Sequence, residues 1–212
     1  MNKHRDILVP VLEEARRRGF LGPGPVQAHL DHAAGYAAAL AADAGDGWSP
    51  ARAADLGSGA GLPGLPLALR LVGTEWTLVE ASVRRAAFLR AVVDDLGLGD
   101  RVLVVEERAE AVGRAPEYRG RLELVVARSF GPPAVLAECA APLLGAGGRA
   151  VVSEPPGGDA ARWPADGLAL LGMAPGTAVE IGGAAYQVLR QERPCPERWP
   201  RRVGVPAKRP LF

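Results

Sequence analysis

The sequence predicts a doubly wound α/β fold, a mostly parallel seven-stranded sheet with helices on both faces, preceded by two N-terminal helices. Two observations carry this expectation. Short apolar runs alternate with stretches of helical period between Ala51 and Ser153, the pattern of parallel strands joined by crossover helices. A glycine-rich turn at Gly57–Gly64 separates the first run from the first of those helices, at the place where this fold class keeps its ligand crevice.

The elements follow in order. Arg5–Arg18 reads as a helix, because Ile7, Leu8, Val11, Leu12 and Ala15 recur at helical spacing and Gly19 follows a basic last turn. Gly22–Pro25 is a loop. Val26–Ala42 is a second helix with Leu30, Ala33, Ala34, Ala37 and Leu40 on one face, and Asp43–Pro50 is a linker. Ala51–Leu56 is a strand, and a helix runs near Leu65–Leu71. Trp76–Glu80 is the next strand. Ser82–Leu96 is a helix with Ser82 as its N-cap. Val102–Val105 and Leu122–Ala127 are strands, the latter of the continuous apolar kind expected where both faces are covered. Pro132–Leu144 is a helix and Arg149–Ser153 a strand. Leu168–Leu171 ends a helix, and Ala178–Ile181 with Tyr186–Arg190 forms a closing hairpin across Gly182–Gly183.

With 212 residues the chain is expected to form a single domain. Residues 1–50 make a helical cap, 51–155 a cofactor-binding half, and 156–212 the last strands and a basic tail. A net charge of +1 implies no global attraction to polyanions. The tail differs: Arg190, Arg193, Arg198, Arg201, Arg202, Lys208 and Arg209 face only Glu192 and Glu197, enough to hold a polyanion locally or simply to solvate the terminus. Cys139 and Cys195 form no CxxC pair, and His4, His29 and His32 form no HExxH, so neither a metal site nor a disulfide framework is expected. No apolar run approaches the roughly 20 residues a bilayer span requires. The N-terminus lacks a secretory apolar region. A cytoplasmic monomer that binds no membrane is expected.

Ala54-Asp55-Leu56-Gly57-Ser58-Gly59-Ala60-Gly61-Leu62-Pro63-Gly64 contains GxGxxG, a weak signal by itself. Asp55 narrows it. A carboxylate at the strand end suits a ligand with a positive amine, such as S-adenosyl-L-methionine, and opposes the pyrophosphate of a dinucleotide. Glu80, ending the next strand, is placed to accept from ribose hydroxyls. Together they predict a class I methyltransferase (Rossmann-like) fold. The expected cofactor contacts are Asp55, Gly57, Ser58, Gly59, Gly61, Leu62, Pro63, Glu80 and Ala81, with Ala109 and Glu110 bordering the adenine after the third strand. A nicotinamide or flavin dehydrogenase, and a fold that has lost its ligand, are the alternatives.

The turn Ala127-Arg128-Ser129-Phe130 is expected to face the transferred methyl. It lacks the Asn/Asp-Pro-Pro-aromatic motif of amino-methylating enzymes, and Pro155-Pro156 falls after the following strand. Carbon-5 pyrimidine methylation needs a cysteine there, but Cys139 falls inside a helix and reads as a buried small hydrophobe. Direct transfer to an atom that is already nucleophilic remains.

Asp55–Ala68, with its Gly-Leu-Pro-Gly-Leu-Pro continuation, resembles the cofactor loop of the GidB family, bacterial enzymes that methylate N7 of a guanine in small-subunit ribosomal RNA. Ser82–Leu89, Val125–Ser129 and Trp199–Leu211 resemble further segments of that family, and His29–His32 resembles its His-x-x-Asp. The resemblance implies Arg128 as the active-site arginine and a further cofactor contact, S-adenosyl-L-methionine as cofactor, and ribosomal RNA or the 30S subunit as partner, with Arg201, Arg202 and Lys208 binding phosphates. The chain departs from the family pattern at Gln27-Ala28 and at Glu154-Pro155. A methyltransferase acting on a small molecule or protein, and a non-catalytic RNA-binding module, are the other readings.

Overall fold

A computed structural model of the chain describes residues 2–155 and 157–212, so Pro156 of the Pro-Pro pair lies outside the described residues. Two helices come first, α1 (Asn2–Arg17) and α2 (Val26–Ala44). Then β1 (Arg52–Leu56), α3 (Gly64–Arg70), β2 (Glu75–Val79), α4 (Val83–Asp95), β3 (Val102–Val105), α5 (Ala109–Val112), β4 (Leu122–Ala127), α6 (Pro133–Ala140) and β5 (Leu144–Glu154) alternate. A short 3-10 turn (Ala160–Arg162), α7 (Ala165–Ala169), β6 (Met173–Ile181), β7 (Ala184–Gln191) and α8 (Val205–Lys208) complete the chain. The seven strands form one sheet of order β3-β2-β1-β4-β5-β7-β6. β1 to β5 pair in parallel, and β7 runs antiparallel to both β5 and β6.

Alternation along the strands divides the core between the two faces. In β4, Leu124 and Val126 join the layer under α1 to α4, while Val125 and Ala127 join the layer under α6 and α7. Side chains of successive strand residues point to opposite faces, so a strand covered on both sides must be apolar throughout.

Several boundaries differ from expectation, each for a physical reason. α2 runs on to Ala44, because Asp43 is drawn in rather than left in a linker. The Asp43 carboxylate accepts from Arg149 Nε at 2.8 Å, Arg190 Nη2 at 2.6 Å and Thr177 Oγ1 at 2.8 Å, which ties the helix end to β5, β6 and β7. α6 stops at Ala140 rather than Leu144, since Pro142 cannot continue a helical hydrogen-bond ladder. The carbonyls of Pro142 and Leu143 accept instead from Gly120 and Leu122, and β5 starts directly at Leu144. Ser82 occupies the N-cap position of α4 without capping it through its side chain. Its backbone N–H donates to Glu80 Oε1 at 2.8 Å. α8 was not foreseen. It follows Gly204, which takes φ +79°, a region that favours glycine.

α2 reaches the sheet through two tyrosines. Tyr36 Oη donates to the Ala127 carbonyl at 2.8 Å, and Tyr186 Oη donates to the His32 carbonyl at 2.7 Å. Gly35 permits this approach, because a Cβ there would lie 2.1 Å from Tyr186 Oη.

Candidate active site

Between β1 and β4 the strand order reverses, and the loops beyond their carboxyl ends flank a crevice. One side is the glycine-rich loop after β1. Gly57, Gly59 and Gly61 have φ of +69°, +57° and +89°, which the tight turn demands and side-chain-bearing residues resist. The other side is Arg128–Gly131. Phe130 lies against the loop so closely that a Cβ on Gly57 would sit 3.0 Å from its ring. Ser129 holds φ +53°, the one non-glycine residue with positive φ among those described. Such strain costs about 1–3 kcal/mol and collects where function positions a backbone.

Both loop acids are engaged in building the loop. Asp55 is fully buried, and its Oδ2 accepts from the Gly64 N–H at 3.0 Å at the start of α3. Its Oδ1 is buried without a partner. Burial raises the Asp55 carboxyl to about 7, with Gly64 and Ser58 pulling it down and the Glu80 charge pushing further up. Glu80 accepts from Gly59 N–H at 2.9 Å through one oxygen and from Ser82 N–H through the other. The Gly57 and Ser58 N–H groups donate to the Val79 carbonyl, and Gly61 N–H to the Ser58 carbonyl. The N–H groups of Gly57, Ser58, Gly59 and Gly61 are therefore already engaged within the loop. A pyrophosphate needs free N–H groups at such a turn, so this loop is ill-suited to a dinucleotide.

Two cavities open on either side of Ser129–Gly131. The first, about 350 Å³, is lined among others by Gly57, Glu80, Ala81, Ala109 and Glu110. Those five sequence-predicted residues come together. Asp55, Ser58, Gly59, Gly61, Leu62 and Pro63 do not line it. They lie beneath or within the loop, with Asp55 buried below it. Arg85, Phe130 and Ala207 line this cavity without having been singled out for it. Phe130 was legible as the aromatic of the turn after β4. Ala207 had no signal, since only the fold of the tail brings it there. Cys139 is in the wall, buried as expected. Burial, with Glu110 and Glu138 nearby, pushes its thiol up, away from the nucleophilic thiolate.

The second cavity, about 390 Å³, is lined by His32, Arg128, Ser153, Glu154, Arg162 and Trp163 among others. Arg128 is the unusual group. No carboxylate pairs with it among the described residues, its Nη2 lies 2.7 Å from His29 Nδ1, and its Nη1 is buried without a partner. Arg128 is half-buried, and a cation so placed without a paired carboxylate is costly, which makes it a candidate functional group. Glu154 is held by Arg162 Nε at 2.6 Å and Trp163 Nε1 at 3.1 Å.

The tail is placed differently from the expectation that Arg201 binds RNA. Arg201 Nε and its backbone N–H both donate to Glu138 Oε1 at 2.8 Å, and its Nη2 donates to Oε2. Glu138 is fully buried, so Arg201 answers an internal charge. Gly204 N–H likewise donates to Glu110 Oε1 at 3.0 Å. The tail thereby becomes a wall of the first cavity. Arg202 and Lys208 are exposed and form no ion pair among the described residues.

An open sheet with an antiparallel seventh strand, carrying a glycine-rich loop after β1 and an acid after β2, defines a class I methyltransferase. Among solved structures, a geranyl diphosphate C-methyltransferase from Streptomyces coelicolor, in complex with S-adenosyl-L-homocysteine, shares the fold with a TM-score of 0.56 at 13% identity, over 76% of this chain and 78% of that one. The GidB family, described as rRNA small subunit methyltransferase G, matches residues 39–154. Proteins named ribosomal RNA small subunit methyltransferase G are 41% identical in Roseiflexus castenholzii, over 78% of this chain and 73% of that protein, and 40% identical in Prochlorococcus marinus, over 76% and 68%. The chain belongs to the GidB family.

Proposed function

We propose that this enzyme transfers the methyl group of S-adenosyl-L-methionine to N7 of a guanine in small-subunit ribosomal RNA. The observation that carries the reading is the pair of cavities meeting at the Ser129–Gly131 turn, with an uncompensated arginine on the side away from the glycine-rich loop. The names of the relatives supply the class of RNA.

The residues present fit the cofactor. Glu80 retains lone pairs for ribose hydroxyls after accepting its two backbone bonds. Gly57 leaves room for a close approach, and Ala81, Ala109 and Glu110 would flank the nucleoside. Asp55 acts from below, where its unpartnered Oδ1 favours positive charge over the loop. When bound, the cofactor supplies an electrophilic methyl carbon.

Guanine N7 carries an exposed lone pair, so the protein need not remove a proton, and positioning provides the catalysis. Arg128 would donate to O6 or to a phosphate, as arginine does on guanine edges. Donation to N7 itself would occupy the attacking lone pair. Arg202 and Lys208, both exposed, would neutralise backbone phosphates.

The test is methyl transfer from labelled cofactor to 30S particles and to naked small-subunit RNA, with mass-spectrometric mapping of the product. 7-Methylguanosine at one position is expected. Label at another atom, or on no RNA at all, would sink the reading.

A further inference from the structure

The contact between Arg128 and His29 joins the N-terminal helices to the second cavity, and its chemistry fixes a protonation state. His29 lies in the first turn of α2, buried. Its Nδ1 is 2.7 Å from Arg128 Nη2, and its Nε2 is 3.3 Å from the Gly22 carbonyl. A guanidinium can only donate, so Nδ1 must accept and carry no proton. Nε2 then bears the hydrogen and donates to Gly22. Both ring nitrogens are thus assigned by their partners, and the imidazole is neutral.

No other side chain among the described residues hydrogen-bonds Arg128. We propose that His29 is the positioning residue of the acceptor cavity: anchored on the Gly22 carbonyl, it holds Arg128 Nη2 and thereby fixes the guanidinium in the wall that faces the methyl acceptor. The proposal rests on reading the second cavity as the acceptor site.

A pH dependence follows. The groups facing His29 are Arg128 from the end of β4, Arg16 from α1, His32 one turn along α2, and the carbonyls of Gly22 and Pro23. Arg16 is itself paired with Glu13. Burial, with the Arg128 charge next, lowers His29 below its ordinary value of 6.5, so the neutral form prevails at neutral pH. Acid adds a proton at Nδ1, which replaces an acceptor by a donor and sets two cations against each other. Arg128 is then released.

The experiment compares wild type, His29→Ala and His29→Asn in kcat and KM on 30S particles from about pH 5 to 8, with calorimetric binding of S-adenosyl-L-methionine. ¹⁵N spectra of the imidazoles are recorded for wild type and Arg128→Ala. Asn offers an amide oxygen near the Nδ1 position and does not titrate. His29→Ala should lose roughly 10- to 100-fold in kcat/KM, the range seen when a partner that orients a metal-binding side chain is removed. Its cofactor affinity should stay within about twofold, because His29 does not line the first cavity. His29→Asn should recover most of the loss and, at saturating S-adenosyl-L-methionine where the Asp55 titration does not enter, should lack the acid limb of wild type. The wild-type spectrum should show a neutral imidazole protonated at Nε2, with an Nδ1 shift that moves in Arg128→Ala. A folded His29→Ala with wild-type kcat/KM, an unchanged acid limb in His29→Asn, or an Nδ1-protonated ring would overturn the proposal. If wild type methylates no RNA, the proposed function fails, while the spectra still decide the His29–Arg128 contact. Should the Ala variant not fold, the Asn variant and the spectra decide it.

Discussion

Asp55 lies under the glycine-rich loop with one carboxylate oxygen on Gly64 and the other unpartnered. The two oxygens are separable by mutation. Asp55→Asn keeps an acceptor for Gly64 but removes the charge, so cofactor affinity should fall by about tenfold or more, the size of one charge-assisted contact, with little change in melting temperature. Asp55→Ala also strands the buried Gly64 N–H, which costs about 1–3 kcal/mol of stability. Calorimetry and thermal unfolding on the two variants separate these effects. Burial raises this carboxyl to about 7, and a cationic ligand above the loop favours its ionised form. Cofactor binding should therefore release a proton and tighten as pH rises through about 7. Calorimetry in buffers of different ionisation enthalpy reads that proton, and no buffer dependence would contradict it.

At the scale of elements, the molecule depends on two close approaches. α2 meets β7 across Gly35, where a Cβ would lie 2.1 Å from Tyr186 Oη. Gly35→Ala forces that ring or the helix to move, at a cost of about 1–3 kcal/mol. On a protein of this size that is a fall of roughly 2–4 °C per kcal/mol, measurable by calorimetric unfolding. The tail is anchored by Arg201 on Glu138, a carboxylate with no exposed surface. Removing one partner of a buried pair strands the other and costs about 3–5 kcal/mol, so Arg201→Ala should lower the melting temperature strongly. Arg202→Ala and Lys208→Ala should leave it within about 1 °C, since exposed substitutions rarely exceed ±0.5 kcal/mol. Their effect should appear in RNA binding, where each lost phosphate contact reduces the salt slope by about one. Equal melting losses in all three variants would show that Arg201 is not special.

Over the whole molecule, two buried titrations act in opposite directions. His32 is lowered from 6.5 to about 4, chiefly by burial and then by Arg128. Between those values the unfolded chain binds more protons, so stability falls as pH falls. Asp55 is raised from 3.8 to about 7. Its contribution is complete below 3.8 and is lost as pH rises through 7. His29, lowered below 6.5 as well, adds to the His32 slope, so the Asp55 slope should offset the histidine slopes only in part between about pH 4 and 7. Asp55→Asn should lose melting temperature as pH falls through this range, and His32→Asn should gain it. Parallel curves for all three proteins would exclude both assignments.

Local signals settled more of this protein than its size suggests. The alternation of apolar runs and helical stretches yields the succession of strands and helices along the chain. The glycines of 57–64, with an acid near the end of β1 and another after β2, mark the candidate cofactor side, because backbone turns and strand ends are written in consecutive residues. What consecutive residues do not carry is which groups meet across the chain. Arg201 reads as a free cation until Glu138 is placed beside it, 63 positions away. Asp55 reads as an open carboxylate until its burial is seen. His29 and Arg128 stand 99 positions apart, and only the packing of α2 on the end of β4 makes one the acceptor for the other. The sequence by itself determined the fold and the kind of loop, since both rest on local backbone preference and hydrophobic period. The tertiary structure decided which charges are free, because burial and pairing are properties of neighbours in space.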